Sequence, residues 1–273
     1  MNAFTEEKKS AADIRVLQIS DMHLFADSSG LLVGINTEDS FLAVLELAQH
    51  HSWPPDFIFL TGDISQDSSL TAYQRLIEHL KPLGIPCYIL PGNHDKPERL
   101  QQIFQQPPFS YQLFLHHKNW LFAFLNSATP NEEGGTLDEE EIELLQLEMN
   151  KHPNKKVLIC LHHQLKPVSS QWLDTMSVIN PSSLIDIISN TDKVKGVIHG
   201  HVHQESLRNI KKTPIYGTPS TCFQFKPLSA DFAIDNTTPG YRWLELSDNG
   251  EINTNVVRLK DMPGNLDENS NGY

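Results

Sequence analysis

Five short apolar segments in the sequence are each followed at once by residues that can bind a metal ion. The segments have the length of buried β-strands, and amphipathic stretches typical of helices follow several of them. They comprise residues 14–19, 57–60, 87–90, 157–161 and 197–199. Alternation of strands and helices predicts an α/β fold, and hairpins later in the chain predict mixed β-sheets that are covered by helices.

The spacing of apolar residues also predicts individual helices and hairpins. Helices are predicted at residues 37–49, 69–80 and 137–149. Thr136, with Glu139 three residues later, has the pattern of a capping box, which predicts that the third helix begins just after Thr136. Hairpins are predicted for residues 111–115 with 120–125, 206–210 with 213–217, and 241–246 with 252–258.

The length of 273 residues suits one large α/β domain or two small ones. No internal repeat or linker divides the chain, so we predict a single domain over residues 13–261. Residues 1–12 are polar and charged and are predicted to form a flexible tail. Residues 262–273 are rich in Gly, Asn, Asp and Glu. They are predicted to be a second flexible tail, or one that is ordered only against a partner.

The chain carries a net charge of −13 and has a pI of about 5.4. Proteins that wrap nucleic acid normally have a basic surface, so nucleic acid and anionic membranes are disfavoured as partners. No apolar run approaches the roughly 18–20 residues of a membrane span, and the N-terminus lacks the hydrophobic stretch of a secretory signal. Three widely spaced cysteines suit a reducing compartment, so we expect a cytoplasmic protein.

The residues behind the five strands supply oxygen and nitrogen donors. In open α/β sheets ligands bind beyond the carboxyl ends of the strands, so these side chains converge if the strands share one edge. The candidate ligands are Asp21, His23, Asp63, Asn93, His162, His201 and His203. One tetrahedral ion needs only four ligands, so this set suits two ions that share a carboxylate. Such donors favour Fe, Mn, Zn or Co, and a pair of ions about 3.5–4 Å apart is typical of phosphoester hydrolysis.

The spacing within the loops gives two further expectations. Asp21 and His23, like His201 and His203, are two residues apart, and on an extended chain each pair projects to one side and can clamp one ion. A glycine directly precedes three of the candidate ligands, where it tolerates positive φ and close backbone approach. These glycines are Gly62, Gly92 and Gly200.

Together the clusters resemble the five signature blocks of the calcineurin-like metallophosphoesterase superfamily. The blocks are Asp21-x-His23, Gly62-Asp63, Gly92-Asn93-His94-Asp95, His162-His163 and Gly200-His201-x-His203. Residues 25–27, 34–37, 219–227 and 239–242 are similar to stretches of the bacterial class III cyclic-nucleotide phosphodiesterases. The resemblance implies a four-layer α/β-β/α sandwich with two mixed β-sheets flanked by helices.

The resemblance also implies a ligand set and a cofactor. One ion would be held by Asp21, His23, Asp63 and His203. The other would be held by Asp63, Asn93, His162 and His201, so that Asp63 bridges the two. Related enzymes use iron (Fe²⁺ or Fe³⁺) or Mn²⁺, sometimes Zn²⁺, and several are dimers, so a homodimer is one assembly that the resemblance allows.

The implied activity is hydrolysis of 3′,5′-cyclic AMP to 5′-AMP, which would lower intracellular cyclic AMP. His94 is the candidate acid for the leaving alkoxide, with Asp95 holding its ring. Substrate contacts are assigned to His23, Asp63, Asn93, His94, His163 and His203. His163 either supports His162 or the substrate, or simply packs. Cys222 and residues 223–225 form either a buried loop or an apolar wall for adenine.

Two other functions remain open at this point. The same chemistry would serve a 2′,3′-cyclic nucleotide or another small phosphodiester, since specificity lies in loops rather than in the fold. A binding scaffold of the same fold, without catalysis, would be expected to have a broken ligand set, whereas here every position carries a competent donor.

Overall fold

Two six-stranded β-sheets form the centre of the molecule. The computed structural model describes residues 13–268, 270 and 272, so the expected N-terminal tail at residues 1–12 lies outside the described residues. The strands are β1 (Ile14–Ile19), β2 (Leu31–Leu32), β3 (Ile35–Asn36), β4 (Phe57–Thr61), β5 (Cys87–Leu90), β6 (Phe109–Ser110), β7 (Phe114–His117), β8 (Trp120–Phe124), β9 (Lys156–Cys160), β10 (Val194–His199), β11 (Ser206–Ile210), β12 (Thr213–Gly217), β13 (Gln224–Phe225), β14 (Ile234–Asp235), β15 (Gly240–Leu246) and β16 (Ile252–Arg258). The helices are α1 (Thr37–His51), α2 (Leu70–Leu80), α3 (Pro97–Ile103), α4 (Glu139–Lys151), α5 (Gln171–Asp174) and α6 (Ser182–Ser189), with a 3₁₀ turn at Lys81–Leu83.

Both large sheets are mixed, as the sequence predicts. The first has the strand order β16-β15-β1-β4-β5-β6, in which β1, β4, β5 and β6 are parallel and β15 pairs antiparallel with both β1 and β16. The second has the order β11-β12-β10-β9-β8-β7, with antiparallel strands only at its two edges. Strands β2 with β3 and β13 with β14 form two small separate pairs.

Alternating side chains along each strand divide the core into layers. In β4, Phe57 and Phe59 point into an apolar cluster shared with the second sheet, whereas Ile58 and Leu60 pack beneath α1, α2 and α3. The ring of Phe59 lies 4.9 Å from that of Phe124 on β8. Helices α4 and α6 cover the outer face of the second sheet. The implied four-layer sandwich is therefore confirmed, and each buried ring stabilises it by roughly 1.5–3 kcal/mol.

The first strand of the hairpin β7–β8 begins later than predicted. Residues 109–110 form β6, which pairs with β5 in the first sheet, and residues 111–113 connect it to β7 in the second sheet. The prediction of a strand at 111–115 was therefore partly wrong, because residues 111–113 connect the two sheets and only residues 114–115 belong to β7. Local apolar pattern does not distinguish these two cases, because both place apolar side chains in a core.

Helix α4 also begins later than the capping-box pattern predicts. Its N-cap is Asp138, whose carboxylate accepts the N–H of Glu140 at 2.8 Å. The backbone N–H of Thr136 donates instead to the carbonyl of Ser127, and Leu137 is bonded through its N–H and C=O to the amide of Asn180. These tertiary partners hold the two residues outside the helix.

Part of the C-terminal segment packs against the body of the protein. Met262 and Leu266 contact the apolar cluster that includes Leu32 and Ile35, and the N–H of Asp267 donates to the carbonyl of Val33 at 2.9 Å. The division into one domain over 13–261 with two tails stays a prediction.

Candidate metal centre

The loops that follow β1, β4, β5, β9 and β10 meet where the carboxyl ends of the two sheets face each other. The N–H of Asp21 donates to the carbonyl of Gly62 within the first sheet, and the N–H of Gly200 donates to the carbonyl of His162 within the second. The amide of Gln18 reaches across to the carbonyl of His199 at 3.3 Å. All seven predicted ligands are brought together at this junction, as their positions behind the strands predict.

Five of the predicted ligands have left-handed backbone, with φ between 45° and 63°; they are Asp21, His23, Asp63, His201 and His203. Such conformations are uncommon away from glycine and cluster at functional sites. The expectation of extended loops was therefore wrong. It correctly pairs Asp21 with His23, but His201 and His203 point to different groups of donors because the chain turns between them.

The first group of donors is built from Asp21, His23 and His203, which are all fully buried. The Nε2 atoms of His23 and His203 lie 3.1 Å apart, and the Nε2 of His203 lies 3.4 Å from Oδ1 of Asp21. The second group is centred on Asn93, whose Oδ1 lies 3.1 Å from both the Nε2 of His162 and the Nδ1 of His201.

The Asp63 carboxylate lies between the two groups. Its Oδ2 is 3.3 Å from the Nε2 of His162 and 3.8 Å from the Nε2 of His23, while its Oδ1 accepts the N–H of His94 at 2.9 Å. Oδ2 is buried and accepts no well-aligned hydrogen bond among the described residues, with the imidazole of His162 beside it. A buried carboxylate oxygen without a donor is costly, and a cation on either side would compensate for this.

Oxygen acceptors orient three of the four histidines. The Nδ1–H groups of His23, His162 and His203 donate to Gln66 Oε1 at 2.6 Å, Thr61 O at 2.8 Å and Phe223 O at 3.0 Å. This orientation directs the Nε2 atoms into the junction, where they can bind a cation, as in metal sites where a second acceptor fixes the ring. Two lone pairs facing each other at 3.1 Å repel unless a proton or cation lies between them, so the donor set fits two metal ions.

Electrostatics keeps most of these side chains in the form that binds metal. Burial would raise the pKa of Asp63, but His162 and His94 hold it well below its usual value. Burial lowers the pKa of His23 to about 3, and lowers that of His201 well below its normal range. His162 is the exception, because Asp63 outweighs burial and raises its pKa to about 9. In the metal-free protein a proton on His162 balances the charge of Asp63.

Glycines allow the loops to approach each other this closely. Gly62 has a φ of +91°, and a Cβ there would collide with the His162 ring. A Cβ on Gly92 would collide with Oδ1 of Asp63, and one on Gly200 with Ser20 and Asp21. Positive φ is thus required only at Gly62, whereas close approach is required at all three predicted positions.

The model of the family described as calcineurin-like phosphoesterase matches residues 14–205, a stretch that holds every predicted ligand. The chain belongs to this family. It is 38% identical over 279 residues to the 3′,5′-cyclic adenosine monophosphate phosphodiesterase CpdA of Vibrio vulnificus, with 100% of both chains covered. It is 37% identical over 264 residues to the protein of the same name in Escherichia coli (strain K12), with 96% of both covered.

A solved structure shares the fold of this calcineurin-like phosphoesterase. A dimetal phosphatase from Danio rerio has a TM-score of 0.62 at 15% identity, with 90% of this chain and 98% of that chain covered. At this identity the likeness concerns the fold alone. In the described part of the phosphoesterase, no helix combines the length and the apolar composition needed to cross a membrane.

His94 lies beside the candidate metal centre of this phosphoesterase and is less buried than the ligands. Its ring is 5.1 Å from that of His23, edge to face, and it groups with His23 and Asp63 among the sets of donors that could hold an ion. Its carbonyl accepts the hydroxyl of Ser68 at 2.6 Å. His94 is half-buried, whereas the rings of His23, His162 and His203 are buried completely.

The Asp95 carboxylate has other partners than the His94 ring that it was predicted to hold. It accepts four hydrogen bonds, which come from the N–H groups of Ile64, Ser65 and Gly92 and from the hydroxyl of Tyr73. Four bonds fill the acceptor positions of a carboxylate. Burial, together with Asp63, raises the pKa of Asp95 to about 6. Asp95 therefore joins the loops that carry Asp63 and Asn93.

Both ring nitrogens of His163 also have protein partners. Nδ1 lies 2.9 Å from the Ser127 hydroxyl and Nε2 lies 3.1 Å from the carbonyl of Glu133. The ring packs against His201 with centroids 4.5 Å apart. This geometry favours the supporting role over contact with the substrate.

The apolar residues that follow Thr221 and pack beside His203 form a buried loop. Cys222, Phe223 and Phe225 are fully buried, and the Phe225 ring stacks on His203 with centroids 4.4 Å apart. This burial favours the buried-loop alternative over the adenine wall. All three cysteines are buried and free of disulfides, as the sequence predicts. Sequence reasoning missed Gln66, for which the sequence carries no signal beyond its position after Asp63.

Proposed function

We propose that this chain hydrolyses 3′,5′-cyclic AMP to 5′-AMP at a dinuclear metal centre, and that it thereby lowers intracellular cyclic AMP. The observation that carries the proposal is the buried Oδ2 of Asp63, which lies between two groups of nitrogen and oxygen donors, 3.3 Å from the Nε2 of His162 and 3.8 Å from that of His23. The full-length similarity to cyclic AMP phosphodiesterases supports this substrate.

The two groups define which residues would hold the ions. Asp21, His23 and His203 would hold the first ion, and Asn93, His162 and His201 the second, with Asp63 shared. Bound there, the ions would supply positive charge to the phosphate oxygens and acidify a water for attack on phosphorus. Nitrogen and carboxylate donors without thiolate suit Fe, Mn, Zn or Co, and the family resemblance favours Fe²⁺/Fe³⁺ or Mn²⁺ first, with Zn²⁺ as an alternative.

His94 is placed to protonate the leaving group. The reaction adds water across the P–O3′ bond: hydroxide joins phosphorus, the P–O3′ bond breaks, and the 3′-oxygen receives a proton. Backbone hydrogen bonds to Asp63 and Ser68 hold His94 beside the shared carboxylate, and its ring is only half-buried. Asp95 acts as a positioning residue through its bonds to both loops. His23, Asp63, Asn93 and His203 would contact the phosphate through the ions they hold, and His163 would support His201.

A cleft beside Asn93 provides room for the nucleoside. It has a volume of about 370 Å³ and is lined by Lys96, Pro97, Thr129 and Asn131 among others, which is within the usual size of small-molecule sites. The loop at 128–131 also leads into Glu133, whose carbonyl holds His163. We therefore assign the base and ribose to this cleft rather than to the buried Phe223 and Phe225.

The decisive experiment measures hydrolysis by metal-free protein that has been reconstituted with Mn²⁺ or Fe²⁺. The substrates are 3′,5′-cyclic AMP and 2′,3′-cyclic AMP, compared with Asp63→Asn and with Asp186→Asn, a matched change at an exposed site on α6. We expect 5′-AMP only with metal, full activity in Asp186→Asn and almost none in Asp63→Asn. Hydrolysis of 2′,3′-cyclic AMP alone would show that the substrate is a 2′,3′-cyclic nucleotide and not 3′,5′-cyclic AMP. Hydrolysis of neither ester by metal-loaded protein would favour a scaffold.

The proposal extends to the setting of the enzyme. We place it in the cytoplasm with cyclic AMP as its small-molecule partner, without nucleic acid or membrane partners, and with a homodimer as its candidate assembly. The acidity of the chain supports the exclusion of polyanions. Sedimentation of the purified protein tests the dimer.

A further inference from the structure

A second cluster of metal-binding side chains lies outside the dinuclear centre. It consists of His116, Glu148 and His152, hereafter the surface triad. The Nε2 of His116 lies 2.9 Å from Oε1 of Glu148, and the Nε2 of His152 lies 3.2 Å from the same oxygen. The two imidazole rings are 4.5 Å apart. Three donors from two elements thus converge on one point.

The surface triad is at the opposite end of the second sheet from the dinuclear centre. His152 caps the C-terminus of α4 shortly before β9 begins, whereas His162 follows the end of β9. The five residues of β9 extend about 16 Å at roughly 3.3 Å per residue. The triad therefore shares no ligand with the dinuclear centre, and any ion held there would be independent of it.

Geometry and chemistry both fit a transition-metal ion. With bond lengths of about 2.0–2.1 Å, neighbouring ligands of a tetrahedral zinc ion are about 3.3 Å apart, close to the two measured separations. Two imidazoles and one carboxylate favour zinc and similar ions over Mg²⁺ or Ca²⁺. Lys151 Nζ lies 3.2 Å from the other oxygen, Oε2, which leaves Oε1 for the two histidines and makes the carboxylate a monodentate ligand.

The triad is also accessible and joins two elements. The side chains of His116, Glu148 and His152 are 32%, 16% and 40% exposed, so an ion can reach them from solvent. His116 belongs to β7, an edge strand of the second sheet, whereas Glu148 lies in the last turn of α4 and His152, four residues later, is its C-cap. An ion at this point would fasten the edge strand to the helix that covers the sheet.

We propose that the surface triad is a third metal site, which binds one divalent transition-metal ion such as Zn²⁺ and fastens β7 to the end of α4. It takes no part in hydrolysis. The ammonium group of Lys151 beside Glu148 weakens the site, so it fills at higher free zinc than the dinuclear centre does. The alternative is that the triad binds no metal and is a hydrogen-bonded cluster in which both imidazoles donate to Glu148.

The test is a count of bound zinc by equilibrium dialysis at increasing free Zn²⁺. The variants are His116→Ala, His152→Ala and Glu148→Gln, with His50→Ala as a matched control at an exposed histidine on α1. We expect the wild-type chain and His50→Ala to bind one more zinc ion per chain than each triad variant does. Circular dichroism in metal-free buffer checks that each variant is folded, and hydrolysis by the metal-loaded variants should equal that of the wild type.

Two results would overturn the proposal. Equal zinc content in all five proteins over the whole range would leave the surface triad as a hydrogen-bonded cluster. Loss of zinc in the triad variants together with loss of hydrolysis would mean that the substitutions act on the dinuclear centre, and that no separate site exists.

Discussion

At the scale of single residues, the acceptor that binds the Nδ1–H of each histidine decides whether its Nε2 can bind a metal ion. Gln66, the Thr61 carbonyl and the Phe223 carbonyl each take the Nδ1–H of a histidine, and so direct a lone pair to the centre. None of the three is among the residues assigned to contact the substrate. Their effect on function therefore passes through the metal affinity of the histidines that they orient.

Substituting Gln66 should weaken metal binding without unfolding the protein. Gln66→Ala removes the acceptor of the His23 Nδ1–H, so we expect about 10–100-fold lower metal affinity. Titration of metal-free protein with Mn²⁺ measures this, with Gln146→Ala on the exposed face of α4 as the control. Unchanged affinity in Gln66→Ala would show that the ring is oriented by other contacts.

His94→Ala should lower kcat by about 10²–10⁴-fold for cyclic AMP, since it removes the general acid. Bound metal should stay near the wild-type amount. A diester with a nitrophenolate leaving group needs little proton transfer, so its hydrolysis should fall far less. Comparison of the two substrates in one preparation makes the measurement, and equal losses on both would assign His94 to binding instead.

Metal affinity should depend on pH through His162. Its pKa of about 9 in the metal-free protein means that it carries a proton at pH 7, and the proton must leave when an ion binds. The folded form thus gains metal affinity as pH rises toward 9, by about tenfold per unit for one released proton. Titrations between pH 7 and 8.5 test this, and a flat profile would contradict it.

At the scale of elements, the boundaries are set by partners that are distant in sequence. The start of α4 illustrates this: Thr136 matches a capping box, yet its N–H donates to Ser127 and the helix begins after Asp138. The same holds for β6 and β7, which belong to different sheets although they are close in sequence.

Two substitutions at the start of α4 test whether Asp138 or Thr136 is the N-cap of the helix. Asp138→Ala should reduce the free energy of unfolding by about 0.5–2 kcal/mol, since it removes the side chain that accepts the N–H of Glu140. Thr136→Ala should cost clearly less, because its side chain does not cap the helix. Urea unfolding of both variants gives the comparison. A larger loss of unfolding free energy in Thr136→Ala would show that Thr136 caps the helix, as the capping-box pattern predicts.

At the scale of the whole molecule, the metal centre joins the two sheets. Loops after β1, β4 and β5 supply Asp21, His23, Asp63 and Asn93, and loops after β9 and β10 supply the remaining ligands. Bound ions would therefore cross-link the two halves of the sandwich, and their removal would leave buried carboxylates and imidazoles without a cation.

Chelation should lower thermal stability. An ion present at about 100 times its Kd stabilises the folded state by ~2.7 kcal/mol, which corresponds to a Tm difference of roughly 5–10 °C in a chain of this size. Thermal unfolding with EDTA and with excess Mn²⁺ measures the difference. Asp63→Asn should show a much smaller change, and an equal change in that variant would place the stabilising ions elsewhere.

The sequence by itself determined the five strands that precede the ligands, the α/β class and the seven candidate ligands, because strand residues are contiguous and the donors follow the strand ends directly. The family resemblance of the sequence also implied which donors share each ion. Only the tertiary structure decided which ring nitrogen faces the centre, that Asp95 joins loops, and that His116 meets Glu148 and His152. Those features depend on left-handed turns and on contacts between residues far apart in the chain. Local spacing cannot specify them, because the same spacing serves an extended segment and a turned one equally well.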